Sequence, residues 1–290
     1  MEIGKVGAFC FMDAMSAAES IAFCGRLERM GYKVVWSPEA WGREPFAHAG
    51  YVLARTDSLI YASGIANIWA RDPMTMAAAA RTLTEFAPDR FILGIGVSHR
   101  TLVQDLRGHN YDKPLTYMTE YIAHMKSALY RAVAPASEPP LVIAALHPKS
   151  LALAAREARG THTYLCMPEH TKQARAIMGP DAWVCASQII ILESDASKAR
   201  ARAREHFSFY LNQANYQRIL RKQGFVDADF ADGGSDRVID AAVAWGSEDK
   251  IRDRIDAQLK AGANHVCLMP LRCDDSGLPD ERALAAFARR

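Results

Sequence analysis

Two residues stand where a side chain could exchange a proton with a reacting molecule: Glu39 and His99. Glu39 follows a short β-prone run and a proline, and Trp36 and Trp41 flank it. Apolar neighbours raise a carboxyl pKa by desolvation, which equips such a group for acid–base work near neutrality. A carboxylate paired with Arg43 at the surface is the other reading, and spacing does not choose between them. His99 closes the run Gly96-Val97-Ser98-His99 and could equally cap the helix after it. His147-Pro148 stands at a helix start, where backbone N–H groups can face a phosphate; a plain start of a helix fits as well. His170 and His265 read as structural, and Trp69 with Arg71 as rim packing and charge pairing. The remaining candidates are Gly64 to Asn67, Ala144 to Leu146, His162 and Thr163. They are small residues and backbone with few charges, which suits a flat aromatic cofactor better than a metal. No G-x-S-x-G elbow marks a serine hydrolase.

These candidates share one position in the local pattern: each follows an apolar run. From Leu59 to His99 the chain reads strand, unusual turn, alanine-rich helix from Pro73 to about Phe86, strand from Phe91 to Ile95, unusual turn. That is a right-handed βαβ unit, in which ligands bind beyond the carboxyl ends of the strands. Further strands are expected at Val6–Phe11, Val34–Trp36, Leu141–Ala144, Thr163–Cys166, Val184–Leu192 and His265–Met269, with helices between them. Among those helices are Leu115 to about Ala134, Asp195 to about Asn212, and a last one over roughly Pro279 to Ala288. Residues 215–234 accommodate either two short helices or a glycine-rich loop. Eight strand–helix pairs predict one α/β domain over 1–290, a single (β/α)8 TIM barrel with insertions after strands four and seven. A doubly wound sheet lacks its usual sign, because no G-x-G-x-x-G follows the first strand.

Composition narrows the partners. The chain has 290 residues, half of them hydrophobic, and a formal charge of +2. No basic stripe interleaved with aromatics points to nucleic acid. The basic run Lys198 to Arg204 lies between Asp195 and Glu205 and reads as a solvated helix face. No apolar run is long enough to span a bilayer, and the N-terminus lacks a signal-peptide pattern. The six cysteines are scattered without a C-x-x-C pair, so a reduced, cytoplasmic protein without zinc is expected.

Taken together, the stretches VVWSPEAWGREPF, SGIANIWARDP, RFILGIGVSH, VIAALHPKSLALAAREARG, PEHT and AGANHVCLMP resemble the bacterial-luciferase-like barrel superfamily, specifically its branch of oxidoreductases using the deazaflavin coenzyme F420. The resemblance implies a cis peptide at Gly64-Ile65, in a bulge running through Ala66 and Asn67, set against the deazaflavin ring. It places Gly96, Val97, Ser98 and His99 beside the reactive edge, and Glu39 near the hydride-accepting carbon. Ala144, Ala145, Leu146 and His147 correspond to the loop that holds the coenzyme's phosphate, with Leu146-His147 where relatives often have glycine. Gly160, Thr161, His162 and Thr163 correspond to a strand-six end that closes over cofactor or substrate. The implied reaction is hydride transfer, with Glu39 or His99 as the acid/base. Lys172, Lys198 and Lys250 all fall on outer helices, so no basic cluster is expected for a sugar phosphate. An alcohol, aldehyde, ketone or enoyl substrate follows. The alternatives are an FMN-dependent monooxygenase, which would need a flavin reductase partner, and a cofactor-less barrel. The superfamily also implies a homodimer through helices near strands two and three, where Ala77 to Ala80 permit close packing.

Overall fold

The computed structural model describes residues 1–288. The first half of the chain runs Val6–Phe9 (β1), Ala17–Met30 (α1), Val34–Ser37 (β2), Pro45–Leu53 (α2), Ile60–Ser63 (β3), Ala66–Asn67 (β4), Pro73–Phe86 (α3), Phe91–Gly96 (β5) and Pro114–Lys126 (α4). The second half opens with Leu141–Ala144 (β6), Pro148–Glu157 (α5), Gly160–Thr163 (β7), Pro168–Met178 (α6), Trp183–Ile191 (β8) and Ala196–Leu211 (α7). It closes with Ala214–Lys222 (α8), Asp236–Ala242 (α9), Val243–Trp245 (β9), Glu248–Lys260 (α10), His265–Pro270 (β10) and Glu281–Phe287 (α11).

Strands β1, β2, β3, β5, β6, β7, β8 and β10 pair in parallel in that order, and β10 closes onto β1 with Val6 opposite Val266. The result is a closed eight-stranded α/β barrel of the TIM type. Two short strands add to it: β4 pairs with the end of β5, and β9 with the far end of β8. Alternate residues divide between two cores, as the pleat requires. Phe9, Val34, Trp36, Ile60, Ala62, Ile92, Val142 and Cys267 fill the barrel lumen side. Val6, Ala8, Val35, Tyr61, Leu93, Ile95, Ile143 and Leu268 pack outward under the helices. Helix starts follow their local chemistry. Ser16 and Glu19 make a capping box for α1, and Asp72 caps α3 ahead of Pro73. Among the described residues, no helix is long and apolar enough to cross a membrane.

Three boundaries differ from expectation. The sixth barrel strand is Gly160–Thr163, not Thr163–Cys166. Gly160 pairs with Val142 and Trp183, and beyond Thr163 the chain leaves the ladder, with Leu165 at φ +55°. Tyr164 to Met167 are apolar because they pack at the barrel mouth, and that burial mimics a strand in the sequence. The helix after β5 stops at Lys126, short of Ala134. There the Ser127 hydroxyl turns back onto the carbonyls of Ala123 and His124, and the following segment packs on α3 through Tyr130–Thr82 and Arg81–Glu138. The last helix is shorter too, because Asp280 caps it at Glu281. Residues 214–222 are helical, followed by single turns at 227–229 and 231–233.

Candidate active site

The carboxyl ends of the strands open into a cavity of about 1330 Å³. That exceeds the usual 300–1,000 Å³ of a single small-ligand site, so it has room for a cofactor and a second molecule. Its floor is built around the bulge after β3. The Gly64–Ile65 peptide is cis. Glycines let this bulge seat itself: a Cβ on Gly94 would lie 2.0 Å from the Ser63 carbonyl oxygen, and one on Gly96 would lie 2.5 Å from Ile65 Cδ1. Ser63 Oγ bonds both the carbonyl and the N–H of Gly94, at 2.8 and 2.9 Å. Gly64, Ile65, Gly96, Val97 and Ser98 all line the cavity. Ala66 and Asn67 do not; they form β4 behind it, paired with Ile95 and Gly96.

Glu39 faces this cavity, but its carboxylate is engaged. Arg71 donates to both of its oxygens, at 2.9 and 2.6 Å, and the Asn67 N–H donates at 2.7 Å. The two side chains are only 11% and 8% exposed. The ion-pair partner is therefore Arg71, not Arg43, which instead bonds the Met15 carbonyl and the Asp13 side chain. In this geometry Glu39 braces the bulge to the turn after β2, and little of it is left to carry protons. His99 has the opposite character. Its ring packs edge-on or tilted against Phe209, Tyr210 and Tyr216 at 5.7, 6.1 and 5.6 Å. The π-helical turn at Thr101–Asp105 starts after Arg100 without a side-chain cap, so His99 does not serve as one. Burial pushes its pKa down to about 4, leaving a neutral imidazole at pH 7 that can accept a proton.

Across the mouth, Ala144, Ala145, Leu146 and His147 lead into α5. His170 donates to the Leu146 carbonyl at 2.7 Å and so fixes this loop. His147 sits at the helix start with its N–H on Ser150 Oγ at 3.1 Å. Lys149, Arg218 and Lys222 gather at this end of the cavity, and none has an acidic partner among the described residues. Burial lowers the His147 pKa, and Arg218 and Lys222 lower it further. The expectation of no basic cluster thus fails. The cations come from α5 and α8, which the tertiary fold folds over the mouth.

Of the strand-six group, only His162 reaches the cavity. Its ring lies 5.2 Å from Phe9 and 4.9 Å from Trp36. Its Nε2 is buried without a partner, and burial drives its pKa down to about 3. Gly160, Thr161 and Thr163 lie within β7, below the rim; Thr161 Oγ1 donates to the Ile143 carbonyl at 2.9 Å. They do not close over a ligand, because the strand ends three residues earlier than its apolar sequence suggests. His265 is structural, bonded to the Gly4 carbonyl and to Trp36 Nε1. The sequence reading passed over Phe11, Tyr164, His206, Phe209, Tyr210 and Tyr216, all of which line the cavity. A signal for three of them was present: His206, Phe209 and Tyr210 fall at i, i+3, i+4 on α7 and share a face. The adjoining face, with Ala199, Ala203 and Phe207, packs into the core.

Fold and site together define a barrel enzyme that works at the carboxyl-end mouth of its sheet. The sequence profile of the luciferase-like monooxygenase family matches residues 5–265, and the chain belongs to that family. It is 23% identical to a Mycobacterium tuberculosis protein provisionally described as a coenzyme F420-dependent oxidoreductase, over 81% of this chain and 86% of that one. Among solved structures, an F420-dependent secondary alcohol dehydrogenase in complex with an F420-acetone adduct superposes with a TM-score of 0.80 at 15% identity, covering 99% of this chain and 98% of that one. The oxygenating constituent of the 3,6-diketocamphane monooxygenase of Pseudomonas putida, in complex with FMN, gives 0.64 at 14% identity and covers 91% of each chain.

Proposed function

We propose that the protein is an oxidoreductase that transfers a hydride between coenzyme F420 and a small alcohol, carbonyl or enoyl substrate. One observation carries this reading: the cavity changes character along its length. An apolar floor on the Gly64–Ile65 bulge runs into an end where the α5 N-terminus, Lys149, Arg218 and Lys222 supply uncompensated positive charge. A flat ring joined to a phosphate-bearing chain has the same division. Gly64, Ile65, Gly96 and Val97 would hold the ring, and the 144–147 backbone with the three cations would hold the phosphate. The F420-linked relative and structural neighbour favour the deazaflavin over FMN. When bound, a deazaflavin supplies the hydride acceptor or donor.

The chain's own residues orient the reactants and move one proton. His99, uncharged at pH 7, takes the proton of a substrate hydroxyl as the hydride leaves its carbon; in the reverse direction it returns that proton to the carbonyl oxygen. Glu39 and Arg71 hold the bulge in place. The excursions after β5 and β8, at 97–113 and 192–247, bring the aromatic wall over the mouth and exclude water. Pairing of two copies through α2 and α3 is part of this reading, supported by exposed Met74 and Phe86 on α3; sedimentation velocity of the purified protein tests it.

The decisive experiment titrates purified protein with F420 and, separately, with FMN, following fluorescence quenching. Micromolar or tighter F420 binding with weak FMN binding is expected. Tight FMN binding would instead assign a flavin monooxygenase with a reductase partner, and binding of neither would overturn the catalytic reading.

A further inference from the structure

The cavity has a second end, and its chemistry is different. In the eight-strand ring β1 stands across from β6, so residues around β1 and β10 face the cationic α5 end from the far side. There Phe11 packs on Phe9 and His206 at 6.3 and 6.4 Å. Tyr164 follows β7, but its ring reaches across the mouth to Phe9 at 5.9 Å and packs on Tyr210 and Tyr216 at 5.0 and 6.2 Å. Tyr164 Oη and His206 Nε2 share a hydrogen bond, and the same hydroxyl touches Met269 Sδ at 3.5 Å. The nearby cation, Arg202, is already satisfied by Glu205 at 3.0 Å and by the Arg272 carbonyl at 2.7 Å. Burial keeps His206 uncharged, with its pKa down to about 3, and pushes Tyr164 far up. Among the described residues this end therefore offers aromatic faces and one neutral hydrogen-bonding pair, and its cation Arg202 already has partners.

We propose that this aromatic end is the substrate subsite, that it takes an uncharged carbonyl compound or its alcohol bearing a flat apolar group, and that Tyr164 Oη binds the substrate's oxygen. His206 is the positioning residue that aims the Tyr164 hydroxyl. The assignment rests on the α5 end being occupied by the anionic chain of the cofactor, which leaves the far end for the second molecule. Two observations support it. A carboxylate or phosphate placed among these rings would lose its water and gain no unpaired cation in exchange. A ketone oxygen needs only one neutral donor, which Tyr164 provides when His206 Nε2–H donates to its hydroxyl oxygen and the weak contact with Met269 is given up. His99 and Tyr164 both contact Tyr210, at 6.1 and 5.0 Å, so the proton carrier and the oxygen-binding hydroxyl flank the same ring.

Ligand-detected NMR on the purified protein, with acetophenone and benzoate as probes, tests the proposal without requiring turnover. Wild type is expected to bind acetophenone at least tenfold tighter than benzoate. Tyr164→Phe keeps the ring and loses the hydroxyl, and should weaken acetophenone about five- to tenfold, the effect of one lost neutral hydrogen bond. His206→Phe should do the same, whereas His206→Gln, whose amide can still bond Tyr164, should recover most of the affinity. A merely structural histidine would not give that recovery. F420 titration of the same variants should be unchanged. Lys149→Glu should weaken F420 and leave acetophenone binding intact. Benzoate binding as tightly as acetophenone, no acetophenone binding, or a Tyr164→Phe variant equal to wild type would each overturn the subsite. If F420 fails to bind while the acetophenone pattern holds, the coenzyme assignment falls and the aromatic subsite stands.

Discussion

Replacing Arg71 by methionine removes the partner of a carboxylate that has almost no water around it. In the native protein Glu39 receives two hydrogen bonds from the guanidinium and one from Asn67 N–H, and both side chains are about nine-tenths buried. The near-zero value of exposed ion pairs therefore does not apply. Stranding one member of a buried pair costs about 3–5 kcal/mol, because the remaining charge is neither solvated nor compensated. Two smaller losses add to this. Arg71 also reaches Glu44, which is half exposed, and its guanidinium lies 4.9 Å over the Phe46 ring; together these contribute on the order of 1 kcal/mol. Arg71→Met should thus lower the unfolding free energy by about 5 kcal/mol. The double variant Arg71→Met with Glu39→Met strands no charge and should be more stable than Arg71→Met alone. Urea unfolding of the ligand-free single and double variants measures both quantities. A single-variant cost below about 1 kcal/mol, or a double variant whose loss equals the sum of the single losses, would show that the pair is not coupled as described. Because Glu39 also holds Asn67 N–H, Arg71→Met should weaken F420 binding as well.

Three further outcomes follow from the same geometry. His99→Gln should reduce kcat by about 10²–10⁴ while leaving F420 affinity within a few-fold, and wild-type kcat/KM should stay flat down to about pH 5 and fall with an apparent pKa near 4; loss of F420 binding in this variant would refute the proton role. Stability should fall on acidification. The pKa values of His48, His99 and His265 are held near 4 and those of His162 and His206 near 3. The unfolded chain therefore takes up protons below the ordinary value of about 6.5 that the folded protein refuses until it reaches pH 3–4. The urea midpoint should be lower at pH 5 than at pH 7, and an unchanged or higher midpoint would contradict the burial of these rings. Gly94→Ala should destabilise more than Gly96→Ala, since the new methyl meets backbone at Ser63 in the first case and the movable end of Ile65 in the second; thermal unfolding ranks them.

Much of the architecture was legible in the residues. Apolar runs separated by helices at barrel-like spacing gave the strands, and Pro73 marked a helix start that the structure keeps. The glycines at 64 and 96 stand just after or at the end of apolar runs, and both line the cavity. The position of His99 at a strand end likewise put it at the mouth.

What the sequence could not settle concerns partners distant along the chain. Glu39 had plausible partners in Arg43 and in solvent; only closure of β2 against β3 brings Arg71, thirty-two residues on, to its carboxylate. The strand around 160–166 looked shifted because an apolar run records burial and not hydrogen bonding, and Leu165 to Met167 are buried by the mouth instead of by the sheet. The cations on α5 and α8 and the aromatic face of α7 carried no signal of their place at the mouth, since nothing local states which way a helix will fold. By itself the sequence determined the barrel, the glycine floor and the strand-end position of His99, all of them consequences of short-range sterics and apolar periodicity. The tertiary structure alone decided which charge answers Glu39, where the free cations gather, and that one end of the cavity is charged and the other aromatic, because each depends on side chains that only a closed barrel brings within a few ångströms.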